Sequence, residues 1–138
     1  MQPRVAAAAA RHAAALGDAA LARDLIERGL GADWNAALVT QYGELEKLEP
    51  LKRQEEARAR LERGERWLRD HAEDPQLLAT LGRLCVAAEL WGKAQNYLDA
   101  SLTFGASRAA HLELARLAER DGRAAEAQKH FRRAGELQ

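Results

Sequence analysis

Apolar and small residues recur in the second half of the chain with an offset of 33 residues. The stretch LGRLCVAAELWGKAQNYLDAS begins at Leu81, and LARLAERDGRAAEAQKHFRRA begins at Leu114. Both are rich in alanine, leucine, glutamate and arginine, which favour helix over strand. Small residues return at the same places, as expected where helices lie in close contact. The equivalent positions are Gly82 and Ala115, Ala94 and Ala127, Leu98 and Phe131, and Ser101 and Ala134.

Three glycines divide these stretches into helices and turns. A glycine inside a helix costs about 1 kcal/mol relative to alanine, so Gly82 indicates a place where another helix crosses very closely. Gly92 and Gly122 are predicted in the turns between paired helices, where glycine adopts conformations that other residues resist. Each stretch therefore predicts a helix, a tight turn and a second helix.

Two weaker units precede these stretches, and the second is stretched to roughly 43 residues, longer than a regular unit of about 34. The predicted fold is all-α, a right-handed α-solenoid of about four helix pairs in a single domain, with the second pair irregular. The predicted units cover about 3–30, 33–72, 75–106 and 107–138. The three prolines are expected at helix boundaries, namely Pro3, Pro50 and Pro75.

The period and the spacing of small residues resemble the tetratricopeptide repeat. One unit matches at Leu78, Leu81, Gly82, Ala94, Leu98 and Ser101. The next matches at His111, Leu114, Ala115, Gly122, Ala127, Phe131 and Ala134. Leu98 and Ser101 stand at the expected positions, but the pattern has an aromatic residue and an alanine there, and no proline follows LTFGAS. The repeat register implies that Trp67 and Phe131 are core residues and that Trp91 joins adjacent repeats.

Composition limits the classes of partner. The chain has 21 basic and 21 acidic residues, and zero net charge argues against nucleic acid or an anionic membrane as the main partner. Its single cysteine, Cys85, excludes an intrachain disulfide and is predicted to be a small buried apolar residue. No run reaches the roughly 18 apolar residues of a membrane span.

Candidate catalytic and metal-ligating residues form no known motif. The four histidines, His12, His71, His111 and His130, show no metal-ligand spacing, although His111 and His130 fall in one helix pair and could meet there. Carboxylates sit among arginines three and four residues apart, as on solvated helix faces. We therefore expect a protein that is not an enzyme, with no catalytic residue, metal or cofactor.

The first helix of each pair should line the concave face of such a solenoid and bind a partner protein. The repeat register puts Arg11, Arg83 and Arg116 at equivalent places on this face, where they could accept acidic groups. Ordinary solvated arginines are an equally open interpretation. The predicted neighbours of the three arginines are Thr80, Val86, Glu113 and Arg120.

The stretch DPQLLATLGRLCVAAELWGKAQNYLDASL also resembles the C-terminal region of the bacterial HemY family, and the likeness covers roughly residues 57 to 135. That resemblance implies the soluble tail of an inner-membrane protein, expected on the cytoplasmic side, that coordinates haem-biosynthesis enzymes. It implies no contact of this part of the protein with the membrane. The alternative function is a haem or tetrapyrrole carrier with an axial ligand such as His111 or Cys85. Self-association through an end repeat also stays open.

Overall fold

A computed structural model describes residues 3–45 and 52–137, and over these residues the chain forms nine α-helices and no strand. The all-α prediction is therefore confirmed. The helices are α1 Pro3–Ala15, α2 Ala19–Ala32, α3 Ala36–Glu44, α4 Arg53–Arg66, α5 Leu68–His71, α6 Pro75–Ala87, α7 Trp91–Phe104, α8 Arg108–Arg120 and α9 Ala124–Gly135.

The helices pack mainly against those that lie near them in the chain. Helix α1 packs on α2 and α3, α6 packs on α3, α4 and α7, and α8 packs on α6, α7 and α9. Leucine and alanine fill the buried interior between them, with Ile26 and Tyr42 as larger members. The core is therefore a continuous layer that runs between successive helices.

Prolines begin two of the helices, and residues in the left-handed conformation lie in turns between helices. Pro3 and Pro75 are the first residues of α1 and α6, as predicted, while Pro50 lies outside the described residues. Gly122 has φ +76° in the turn between α8 and α9, which confirms its predicted role. The prediction for Gly92 is wrong, because Gly92 is the second residue of α7. The left-handed residue of that turn is Glu89, with φ +62°.

The close crossing predicted at Gly82 is confirmed. A Cβ atom added to Gly82 would lie 2.6 Å from Leu98 Cγ of α7, well inside van der Waals contact. Gly43 of α3 and Gly64 of α4 face α6 at similarly short range. Glycine therefore allows three helices to approach α6 closely.

Aromatic side chains hold the irregular segment between α2 and α6 together. The indole of Trp34 stacks on His71 with ring centroids 3.7 Å apart and donates from Nε1 to Asp74 at 2.7 Å. Trp67 is half-buried against the core and meets both Trp34 and Tyr42 edge-on. These contacts tie α3, α5 and the start of α6 into one body.

The core prediction for Phe131 is wrong. Leu98, its equivalent one repeat earlier, is fully buried, whereas Phe131 is 39% exposed. Helix α7 packs between α6 and α8, but α9 packs chiefly on α8. One face of α9 thus lacks the cover that the next helix provides for α7 among the described residues.

Candidate interaction groove

A groove of about 400 Å³ runs between helices α3, α6 and α8, and we call it the α3–α6–α8 groove. Its lining combines small or apolar side chains with charged ones. Among the lining residues are Thr40, Ala79, Arg83, Arg108, Leu112 and Glu113. Three of the residues predicted for the partner-binding face line it, namely Thr80, Arg83 and Glu113.

Two arginines and two glutamates form a charged cluster at the groove, which we call the arginine–glutamate cluster. Arg83 lies 3.7 Å from Glu44 and 3.8 Å from Glu113, measured between nitrogen and carboxylate oxygen. Arg116 donates to Glu113 at 3.1 Å. The side chain of Glu113 is only 10% exposed, so the two guanidinium groups offset the cost of burying its charge.

The arginine–glutamate cluster makes Arg83 and Arg116 less available to a partner's acidic groups than the sequence predicts. Arg83 and Arg116 both contact Glu113, and Glu44 also lies beside Arg83, so the two glutamates balance the arginine charges within the protein. A carboxylate from a partner would have to compete with these internal partners. Sequence reasoning missed Glu44, because α3 lies in the irregular second unit, where no repeat register aligns it with α6.

The predicted site residues outside the arginine–glutamate cluster make other contacts. The Thr80 hydroxyl donates to the backbone carbonyl of Val39 at 3.2 Å, so it holds α6 against α3. Val86 is half-buried against the core. The Arg120 guanidinium lies 3.8 Å above the Trp91 ring. Arg11 is exposed on α1 and is not part of the arginine–glutamate cluster.

The Trp91–Arg120 contact joins two helix pairs. Trp91 begins α7 and Arg120 ends α8, so the cation–π interaction spans the boundary between them. Trp91 therefore contacts the adjacent pair, as the sequence predicted. The same contact engages the Arg120 guanidinium, which the repeat register predicts at the partner-binding face.

The repeat register contains a signal for the groove residues that sequence reasoning left out. Leu112 lies 33 residues after Ala79, and Ala109 lies 33 residues after Gln76. All four line the groove. Equivalent faces of α6 and α8 therefore form its two sides, and the same offset that related the arginines would have found these residues.

The potentially reactive side chains are mostly buried or bonded. Burial raises the pKa of the Cys85 thiol to about 12, so the thiolate is scarce at neutral pH. Burial opposes the charge of Glu65, yet hydrogen bonds from Lys93 and Tyr97 lower its pKa. His111 and His130 do meet, with their Nδ1 atoms 3.0 Å apart. Within residues 3–45 and 52–137, no three metal-ligating side chains converge.

None of the helices in the described ranges is both long enough and apolar enough to cross a bilayer. No protein-family model matches the chain, and no curated protein matches it. The likenesses to the tetratricopeptide repeat and to the HemY family therefore rest on the residues quoted above.

Proposed function

We propose that this protein is a non-catalytic scaffold that binds a partner protein, built as a right-handed solenoid of about four tetratricopeptide-like helix pairs. In this arrangement the pairs are α1 with α2, α3 with α4 and α5, α6 with α7, and α8 with α9. The packing order supports the proposal, because the first helices of neighbouring pairs contact one another. Stacked repeats bury a continuous core in this way.

The observation that carries the proposal is the position of the α3–α6–α8 groove. All three of its helices are the first members of their pairs, and in a solenoid these line the concave, partner-binding face. Its mixed lining suits an extended segment that places an apolar side chain against Ala79 and Leu112. Arg108, exposed at the start of α8, offers a cation at the same groove.

The resemblance of residues 57 to 135 to the HemY family supports a more specific proposal. The chain would be the soluble tail of a bacterial inner-membrane protein, facing the cytoplasm and coordinating haem-biosynthesis enzymes. The groove would then bind a segment of one of those enzymes.

Partner capture with a groove-filling variant tests the proposal. Ala79→Arg places a long side chain in the groove, while Ala59→Arg makes the same change on an exposed position of α4. Each protein serves as bait in native bacterial lysate, with cross-linking and mass spectrometry, after circular dichroism confirms folding. We expect specific partners that Ala59→Arg retains and Ala79→Arg loses. Partners that both variants retain would contradict binding in the groove.

Charge reversal at Arg83 and Arg116 would be a less suitable test than Ala79→Arg. Glutamate at either position would face Glu113, and at position 83 also Glu44, so like charges would destabilise the fold. Lost binding would then have two causes. Ala79→Arg leaves the arginine–glutamate cluster intact and avoids this ambiguity.

The tetrapyrrole alternative has less support from the geometry. Cys85 is fully buried, and His111 is only 6% exposed. Axial ligation by either residue would require the helices around it to separate. A Soret titration with His111→Ala and Cys85→Ala as controls tests this alternative directly.

A further inference from the structure

His111 and His130 form a hydrogen-bonded pair between the last two helices. His111 lies on α8, only 6% exposed, and His130 is half-buried on α9. Their Nδ1 atoms are 3.0 Å apart and their ring centroids 5.2 Å apart. The difference between these distances is about the sum of two ring radii, so the rings meet end to end. The Nδ1 lone-pair directions therefore face each other and do not converge on a shared metal position.

The pair imposes a limit on the number of bound protons. A neutral imidazole has one N–H donor and one acceptor nitrogen, whereas an imidazolium has donors on both nitrogens. The Nδ1–Nδ1 bond therefore forms when both rings are neutral, or when only one is charged. If both rings were charged, two N–H groups would face each other at 3.0 Å, and the bond would be lost.

The charges on α8 and α9 give a second imidazolium little compensation. No described carboxylate forms an ion pair within 4 Å of either ring. Arg133 lies one turn after His130, and its charge opposes another cation, while Glu136 favours one. Glu136, however, lies 3.9 Å from Arg133, which partly balances it. Arg108, one turn before His111 on α8, adds a further positive charge.

The neighbouring helices and the start of α9 also lack a free carboxylate directed at the pair. Helix α6 brings Arg83 to α8, where it faces Glu113. The charged residues of α7 are Lys93, which pairs with Glu65, and Asp99, which accepts from Gln95. Glu126 of α9 pairs with Arg123. The described surroundings therefore favour the neutral or singly protonated pair.

We propose that the His111–His130 pair is a proton-sensitive contact that holds α9 against α8 at neutral pH and releases it in mild acid. Release would expose Ala127 and Ala134, which are buried now. It would also free a helix that packs chiefly on α8. This inference does not depend on the scaffold function, because it concerns the closure of the last helix pair.

The direction of the pH response follows from His111. Burial, the charge of His130 and the charge of Arg133 lower the pKa of His111 from its usual 6.5. When α9 is detached, the ring regains an ordinary pKa and binds a proton more readily. The detached state therefore gains population as the pH falls below about 6.5, by at most tenfold per pH unit for each extra proton bound.

Hydrogen–deuterium exchange on the intact chain tests the proposal. Protection factors, corrected for intrinsic exchange, are compared at pH 7.5 and pH 5.5 for amides of α9 and α7. We expect protection in α9 to fall several-fold or more at pH 5.5, while α7 changes little. A pH-independent α9, or an equal loss of protection in both helices, would overturn the proposal.

Variants identify the responsible groups. His111→Gln combined with His130→Gln removes both titrating rings, and His12→Gln removes an exposed histidine on α1 as the matched control. We expect the double variant to lose the pH response of α9 and the control to keep it. NMR titration of the wild-type imidazoles gives an independent measurement that needs no variant. A His111 ring that titrates at its usual pKa of 6.5 in the folded protein would contradict the contact.

Discussion

Single glycines decide how closely the helices approach one another. At Gly82 an added methyl group would meet Leu98 at its Cγ atom and also approach its backbone nitrogen at 3.4 Å. The Cγ atom is not the flexible end of the side chain, so the fully buried Leu98, or α7 with it, would have to move. Gly92 is in the opposite situation, since an added Cβ there meets no atom within 4 Å.

Alanine substitutions at these two positions should have opposite effects. We expect Gly82→Ala to lower the free energy of unfolding by about 1–3 kcal/mol, because overpacking outweighs the gain in helix propensity. Gly92→Ala should raise it by at most about 1 kcal/mol. Urea unfolding followed by circular dichroism measures both changes. Equal effects of the two substitutions would show that close packing at Gly82 is not the cause.

Helix α6 begins at a residue that connects two elements. Asp74 caps the helix by accepting from the backbone N–H groups of Gln76 and Leu77. The same carboxylate accepts from the indole of Trp34, which lies just before α3. Ser107 caps α8 through one hydrogen bond, which its hydroxyl oxygen accepts from the Ala110 N–H. The two caps therefore differ in whether they also make a long-range contact.

Removal of the Asp74 carboxylate should cost more than removal of a simple cap. We expect Asp74→Ala to destabilise the protein by about 2–3 kcal/mol, from a cap worth about 1 and a part-buried hydrogen bond worth about 1 or more. Ser107→Ala should cost about 1 kcal/mol. Asp74→Asn retains a side-chain oxygen and should be milder than Asp74→Ala. If Asp74→Ala costs no more than Ser107→Ala in urea unfolding, the Trp34 bond contributes nothing.

One thiol and two tyrosine hydroxyls make the stability of the whole molecule depend on pH in the alkaline range. Burial raises the pKa of Cys85, and burial together with Glu27 raises that of Tyr42. Burial together with Glu65 raises the pKa of Tyr97. These groups keep their protons in the folded protein at a pH at which the unfolded chain has lost them. Stability must therefore fall as the pH rises above the unfolded pKa values.

The onset of this alkaline loss should depend on Cys85. An unfolded thiol loses its proton near pH 9, so between pH 9 and pH 10 we expect Cys85 to lower the free energy of unfolding by at most about 1.4 kcal/mol per pH unit. Cys85→Ala should move the onset towards pH 10, where unfolded tyrosines ionise. Urea unfolding at half-unit steps from pH 8 to pH 10.5 measures the slope. An unchanged slope between pH 9 and pH 10 in Cys85→Ala would contradict the assignment.

Much of the local structure was predictable because it depends on residues close together in the chain. Helix-forming composition indicated the all-α class, and Gly82 and Gly122 indicated a close crossing and a turn. The Gly92 prediction failed because Glu89 adopts the left-handed conformation of that turn. The Phe131 prediction failed because burial depends on a covering helix, which a matching register position does not supply.

Residues far apart in the chain met in ways that local chemistry does not specify. The 33-residue offset relates Arg83 to Arg116, but only folding places Glu44 beside Arg83 and buries Glu113 between the two arginines. The sequence predicts that His111 and His130 share a helix pair, whereas their hydrogen bond depends on how α9 packs against α8. Helix propensity, caps and turns act over a few residues, so the chain specifies them directly. Charge pairing and burial depend on distances between helices, and these exist only once the helices have packed.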